Sequence, residues 1–187
     1  MEFTGWCSIC LDIKAKGTKK ATLCSGPDLF EQVIQATAHL PINNYLCCGA
    51  EGTAAALAEK CSEWGNKNIV GHNSAQFKDF TEEDYKAIAK QINTAETTML
   101  YAGLGPPKQI YFSYEISKFT KAQFIIPIGA AFDFHTDKVK KAPKWIQKCG
   151  IEWFYRLCQE PKRPDKRYLT VVPFFIWYNF IGIFQKN

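Results

Sequence analysis

A mainly parallel β-sheet covered by helices on both faces, an α/β fold, is the class this sequence predicts, and three observations predict it. Short apolar runs alternate along the chain with longer amphipathic stretches, the order expected of strand–helix–strand units. Glycine-rich or proline-rich breaks, Gly49–Gly52 and Gly103–Pro107, fall between an apolar run and the amphipathic stretch that follows it. No internal repeat or low-complexity tract interrupts the alternation.

The elements follow in order. Asp28 to Leu40 places Leu29, Val33, Ile34 and Ala38 near helical spacing, with Asp28 as the expected N-cap. Asn44 to Cys48 is a short apolar run, read as a strand, and Gly49-Ala50-Glu51-Gly52 is the tight loop that leads into an alanine-rich helix over Thr53 to Trp64. Asn68 to Gly71 is a second strand. Thr81 to Asn93 is a helix whose Thr81 and Asp84 stand in capping-box relation, each able to satisfy a backbone N–H of the first turn. Thr97 to Ala102 is a third strand, Lys108 to Lys118 a helix, and Gln123 to Ile128 an apolar strand. Strands and helices at this pitch give a Rossmann-like core over residues 1–141.

After Ala142 the composition changes to an aromatic helix, a basic loop and the run Val171 to Phe184, so residues 142–187 read as a C-terminal appendage. Fourteen residues interrupted by Pro173 and Asn179 are too short for a spanning helix, which needs about 20 apolar residues. A helix lying in the membrane interface fits better, and the alternative is a helix that packs on the domain.

Of the 187 residues, 47% are hydrophobic and 22% charged, values that exclude a disordered or collagen-like chain. The net charge of +5 is unevenly placed: residues 136–187 hold eleven Lys/Arg against four Asp/Glu. Such a patch attracts phosphate, an anionic membrane or nucleic acid. Interleaved aromatic and Arg side chains are compatible with single-strand stacking. The sequence holds no recognised nucleic-acid module, however, and its apolar tail favours lipid. Eight cysteines in a chain of this length, with no signal-peptide pattern before them, are expected as reduced thiols; Cys7 and Cys10 form one C-x-x-C without the second pair of a structural zinc site.

Loops that follow the strands of an open α/β sheet are where a ligand is expected. Gly49 and Gly52 would let backbone amides approach a diphosphate at the next helix, or form a plain tight turn. Gly103 and Gly105, with the prolines that follow, set an unusual backbone path that leaves Gln109 in the first turn of a helix, its amide able to bond a sugar or uracil; by itself that position reads as surface. Asp133 lies between Phe132 and Phe134 just past an apolar strand and is expected to be partly desolvated, either to orient a sugar hydroxyl or as a helix cap or a partner of Lys138 or Lys140. His135 reads as a surface neighbour. Arg156, Arg163, Lys166 and Arg167 fall on two sides of Glu160-Pro161 and could converge on a phosphate, or form a solvated basic face.

Four blocks carry a resemblance. GPDLFEQVI (Gly26 to Ile34), GLGPPKQ (Gly103 to Gln109), FDFHTDKVKKAPKWIQKCGIEWFYRLCQEPKR (Phe132 to Arg163) and RYL (Arg167 to Leu169) resemble, in order and spacing, the WecG/TagA/CpsF glycosyltransferase family over about residues 20 to 170. The resemblance implies transfer of an N-acetylmannosamine-type sugar, or its uronic acid, from a uridine diphosphate (UDP) donor to a polyprenyl-diphosphate-linked acceptor at the cytoplasmic membrane face. Polysaccharide or teichoic acid synthesis is the implied setting. It further implies an inverting enzyme with no cofactor and no tightly bound metal, consistent with the lack of an Asp-x-Asp motif, Arg side chains taking the cation's place.

By the same resemblance Gln109 matches a substrate-contacting Gln, followed here by Ile110 where Glu is usual. Arg156 and Arg163 match C-terminal arginines, and a third falls on Lys166 or Arg167. Asp133 and Gln109 are the expected catalytic-site residues. The family's proposed base is the Asp of an Asp-Gly pair that follows a further N-terminal portion, and Thr4 of Phe3-Thr4-Gly5 stands where it should fall. A nucleotide- and lipid-binding module without turnover is therefore the alternative expectation. Loss of a first strand and helix would leave a sheet edge uncovered, which favours association with another chain, such as a second copy, or poor stability.

Overall fold

The computed structural model describes residues 25–74, 79–105, 107–129 and 131–136, and individually 142, 143, 145, 146, 155, 158 and 177. By its contacts the chain divides into two compact units, one of residues 1–3 and 22–141 and one of 4–21 and 142–187. The first holds the sheet.

Its elements run α1 (Gly26–Ala36), β1 (Asn44–Cys47), α2 (Thr53–Glu63), β2 (Ile69–Asn73), α3 (Glu82–Thr94), β3 (Met99–Ala102), α4 (Lys108–Ser117), β4 (Phe124–Pro127) and α5 (Ala131–His135). The four strands are all parallel, in the order β2-β1-β3-β4, so the α/β class is as the sequence predicts. β1 is in register with β3 throughout, from Asn44 opposite Met99 to Cys47 opposite Ala102; its register with β2 shifts between Asn44 and Tyr45, where Val70 is the extra residue.

Alternation along the strands builds two cores. Tyr45, Cys47, Leu100 and Ala102 face one way and meet Ile88, Ala89 and Ile92 of α3 with Phe112 and Ile116 of α4. Leu46 and Tyr101 face the other way and meet Phe30 and Ile34 of α1, Ala54, Leu57 and Cys61 of α2, and Ala131 and Phe132 of α5. At about 25 cal/mol per Å² of apolar surface removed from water, these two layers are the main stabilising term of the unit.

Local chemistry sets the helix ends. α3 starts at the capping box the sequence foretells: Asp84 N–H donates to Thr81 Oγ1 (3.3 Å) and Thr81 N–H to the Asp84 carboxylate (2.9 Å). α1 differs from expectation, since its N-cap is Ser25, which accepts from Asp28 N–H (3.3 Å) while its hydroxyl donates to the Asp28 carboxylate (2.6 Å). Pro27 in the first turn lacks the N–H that such a turn leaves unbonded anyway, and the N-cap stands three residues upstream of Asp28. The same helix stops at Ala36 and not Leu40: Thr37 Oγ1 donates to the Val33 carbonyl (2.7 Å), and fully buried Asn66 donates through Nδ2 to the Ile34 carbonyl (2.7 Å). Asn66 Oδ1 then accepts from Asn68 N–H (2.9 Å), tying the end of α1 to the chain entering β2.

Asn66→Ala is expected to lower stability by about 1–3 kcal/mol, the cost of orphaning buried partners, measured as the shift in urea midpoint at constant slope. Alkaline pH supplies a second test. Burial pushes the Cys61 thiol from 9.0 to about 12 and, with the neighbouring thiols, the Tyr45 phenol from 10.0 to about 12. Both folded-state values are raised, so the stability is fully present below pH 9 and is lost as pH rises towards 12, because the unfolded chain releases these protons first. Denaturant midpoints followed from pH 8 upward should fall across that window, and Cys61→Ala should make the fall shallower.

Candidate active site at the switch point of the sheet

The crossovers place a crevice. β1 is followed by α2 on one face of the sheet, and β3, its hydrogen-bonded neighbour, by α4 on the opposite face. Where successive connections leave in opposite directions, the loops at the carboxyl ends of the two strands part, and ligands of open α/β sheets bind between them. Here those loops are residues 48–52 and 103–107.

The first loop leaves its strand through three left-handed residues, Cys48 (φ 68°), Gly49 (φ 113°) and Gly52 (φ 73°). A left-handed conformation is unusual for Cys. It is held by Cys48 N–H donating to the Asn73 carbonyl (2.7 Å) and by burial of its side chain in the core with Cys47, their sulfurs 3.3 Å apart. The Cys47 contact and burial push the Cys48 thiol far up, so it stays protonated at neutral pH. Gly52 is the N-cap of α2 and offers no side-chain cap.

The second loop begins at Gly103, whose N–H donates to the Cys47 carbonyl (2.9 Å) and so fastens it to the first. A Cβ on Gly103 would lie 2.5 Å from Cδ2 of the Phe132 ring, and one on Gly49 would lie 3.3 Å from the same atom. Phe132, only 1% exposed, therefore lies with its ring against the backbone of both loops. Glycine at 103 is a packing requirement here as well as a candidate contact.

Gln109 stands in the first turn of α4, its N–H donating to the Gly105 carbonyl (3.2 Å). It is 3% exposed, where position alone read as surface. The helix turns 109, 112 and 116 inward together, so Gln109 is carried into the interior by Phe112 and Ile116. Ser113, on the same side one turn further, has a buried hydroxyl with no hydrogen-bond partner among the described residues.

Asp133 lies in the first turn of the short helix α5, half-buried between buried Phe132 and Phe134, as its setting in the sequence suggests. His135 ends that helix and is not a mere surface neighbour. Its Nε2 is 2.9 Å from the Pro27 carbonyl, and its ring meets Trp64 edge-on at 4.9 Å and Phe30 at 5.7 Å. Gly103, Gly105, Gln109 and the Phe132–Asp133 turn thus all follow the carboxyl ends of β3 and β4, and of these Gly103 and Phe132 lie against each other. Arg156, Arg163, Lys166 and Arg167, like Thr4, Cys7 and Cys10, lie outside the described residues.

Sequence reasoning missed His135 because its partners, Pro27 and Trp64, are distant in the chain. Among the described residues there is no group of three or more His, Cys, Asp or Glu side chains that could hold a metal, and no helix long and apolar enough to cross a membrane. A separate shallow hollow of about 420 Å³, lined by Lys86, Lys90, Asn93 and Phe119, lies along α3 towards its carboxyl end, away from the switch point.

Gly103→Ala is expected to destabilise the fold by about 1–3 kcal/mol, since the new methyl must displace a ring with no room to move. Phe132→Leu should offset part of that loss, giving a double-mutant coupling of about 0.5–3 kcal/mol in denaturant unfolding; strict additivity would show that ring and glycine do not meet.

The family model described as glycosyl transferase WecG/TagA/CpsF matches residues 7–187, essentially the whole chain, and the parallel sheet and its switch-point loops are in keeping with it. The chain belongs to the WecG/TagA/CpsF glycosyltransferase family.

Proposed function

We propose that this glycosyltransferase moves an N-acetylmannosamine-type sugar, or its uronic acid, from a UDP donor to a polyprenyl-diphosphate-linked acceptor at the cytoplasmic face of the membrane. The observation that carries the reading is the meeting of the Gly49 and Gly103 loops with Phe132 at the switch point, with buried Gln109 opening the following helix. In a single inverting displacement the acceptor hydroxyl oxygen attacks the anomeric carbon as the bond from that carbon to the diphosphate oxygen breaks. The hydroxyl proton passes to a base and the bonding pair leaves with UDP, so the site must stabilise a growing negative charge.

The roles assigned follow from side-chain chemistry. Gln109 contacts the donor through its amide, Gly103 and Gly105 let backbone approach it, and Asp133 orients a hydroxyl of the sugar. Arg156 and Arg163, with Lys166 or Arg167, take up the diphosphate in place of a metal ion. In the C-terminal unit Trp145 is 63% exposed and Trp177 60%, and indole rings left in water suit the boundary of a bilayer. This supports peripheral attachment through residues 142–187, which we take as a membrane-associating domain beside the catalytic core of 1–141. Association with another copy of the chain belongs to the same proposal.

One residue favours a second reading. Thr4 stands where the family's Asp-Gly pair falls, and a hydroxyl is no base at neutral pH, so a module that binds nucleotide and lipid without turnover is the alternative. Release of UDP from a UDP-sugar in the presence of a lipid-diphosphate acceptor separates the two.

The donor site has its own test. Arg156→Ala and Arg163→Ala should each weaken UDP binding about 10- to 100-fold, equivalent to about 1.5–3 kcal/mol per charge-assisted contact, read by titration calorimetry. Unchanged affinity in both would count against the assignment.

A further inference from the structure

We infer that His135 is the positioning residue that sets Asp133 relative to the donor site, by fastening the far end of α5 to the start of α1. This rests on the reading that Asp133 orients the donor's sugar. A helix of five residues has little stability of its own, so its place must come from what grips it. Ala131, Phe132 and Phe134 are buried, and two contacts stand on either side of Asp133. On one side Phe132 is seated against the backbone of Gly49 and Gly103, the two loops that frame the crevice. On the other His135 donates from Nε2 to the Pro27 carbonyl at 2.9 Å, while its ring stands edge-on to Trp64 (82°, 4.9 Å) and tilted against Phe30 (44°, 5.7 Å).

The Pro27 carbonyl belongs to the first turn of α1, which starts at the Ser25–Asp28 cap and whose Phe30 also packs against Tyr101 of β3. The anchor is therefore tied to the sheet. Without His135 the carboxyl end of α5 would be held by packing of Ala131, Phe132 and Phe134 alone, and a carboxylate two residues before that end would shift as the packing relaxed. A displacement of about 1 Å in a positioning group is enough to cost on the order of 100-fold. The hydrogen bond and ring contacts of His135 remove that freedom.

The test measures binding of UDP and of UDP-N-acetylmannosamine by calorimetry, with wild type and the variants Asp133→Asn, His135→Leu, His135→Gln and the double Asp133→Asn/His135→Leu. Asp133→Asn and His135→Leu should each weaken the nucleotide sugar about 10-fold and leave UDP itself unchanged. His135→Gln, which keeps a donor for the Pro27 carbonyl, should recover most of the loss, and the double variant should be no worse than either single one. The Trp64 contribution to fluorescence, taken as the difference from Trp64→Phe in each background, should change in His135→Leu and not in Asp133→Asn.

A nucleotide-sugar affinity in His135→Leu equal to wild type, while Asp133→Asn is impaired, overturns this inference alone; so does a double variant whose loss is the sum of the two. If Asp133→Asn binds the nucleotide sugar like wild type, the role given to Asp133 fails, and this inference with it. A loss in His135→Leu that extends equally to UDP, or is not relieved in His135→Gln, reduces His135 to a general packing residue.

Discussion

A ring against two bare backbones is the contact on which the arrangement depends. Phe132 lies where a Cβ of Gly103 would be 2.5 Å from it and one of Gly49 3.3 Å, so the loops after β1 and β3 come as close to α5 as they do only because neither carries a side chain there. The Gly103 N–H bond to Cys47 closes the set from below. Parallel strands alone would give a switch point with open loops. The aromatic seat instead holds both loops against the start of α5, the helix that carries Asp133. The left-handed turn at Cys48 is a cost of order 1–3 kcal/mol that the surrounding core and the Asn73 hydrogen bond offset.

Much of this was legible in the residues before any coordinates. The alternation of apolar runs and amphipathic stretches gave strands and helices in their observed order, and Thr81 with Asp84 gave the start of α3 as it stands. These features are local, and local chemistry decides them. The ends of α1 were read less well, because Ser25 lies outside the apolar pattern and because Asn66, thirty residues downstream, takes up the carbonyl where the helix stops.

The site was legible to the extent that it is made of loops with marked composition. Gly103, Gly105 and the Phe132–Phe134 turn stand out as letters, and the sheet brings them to one edge. Gln109 does not stand out, since its burial follows from Phe112 and Ile116 on the same helix face, and nothing in its neighbours along the chain announces that. His135 is hidden for a similar reason: a histidine among polar residues looks solvated until Trp64 and Pro27 are seen beside it.

Each face of the sheet buries a cluster of rings among aliphatic chains. One gathers Phe80, Tyr85 and Phe112 beside Ile88, Ile92, Leu100 and Ile116, and the other Phe30, Tyr101, Phe132 and, at its margin, Trp64 beside Ile34, Leu46 and Leu57. Branched aliphatic chains exchange for one another at small cost when volume is kept, but ring stacks transmit a change in shape across their whole width. Mutational drift should thus accumulate at the aliphatic positions of both faces, while each ring cluster, one holding Phe112 on the helix face of Gln109 and the other Phe132 next to Asp133, evolves as one piece.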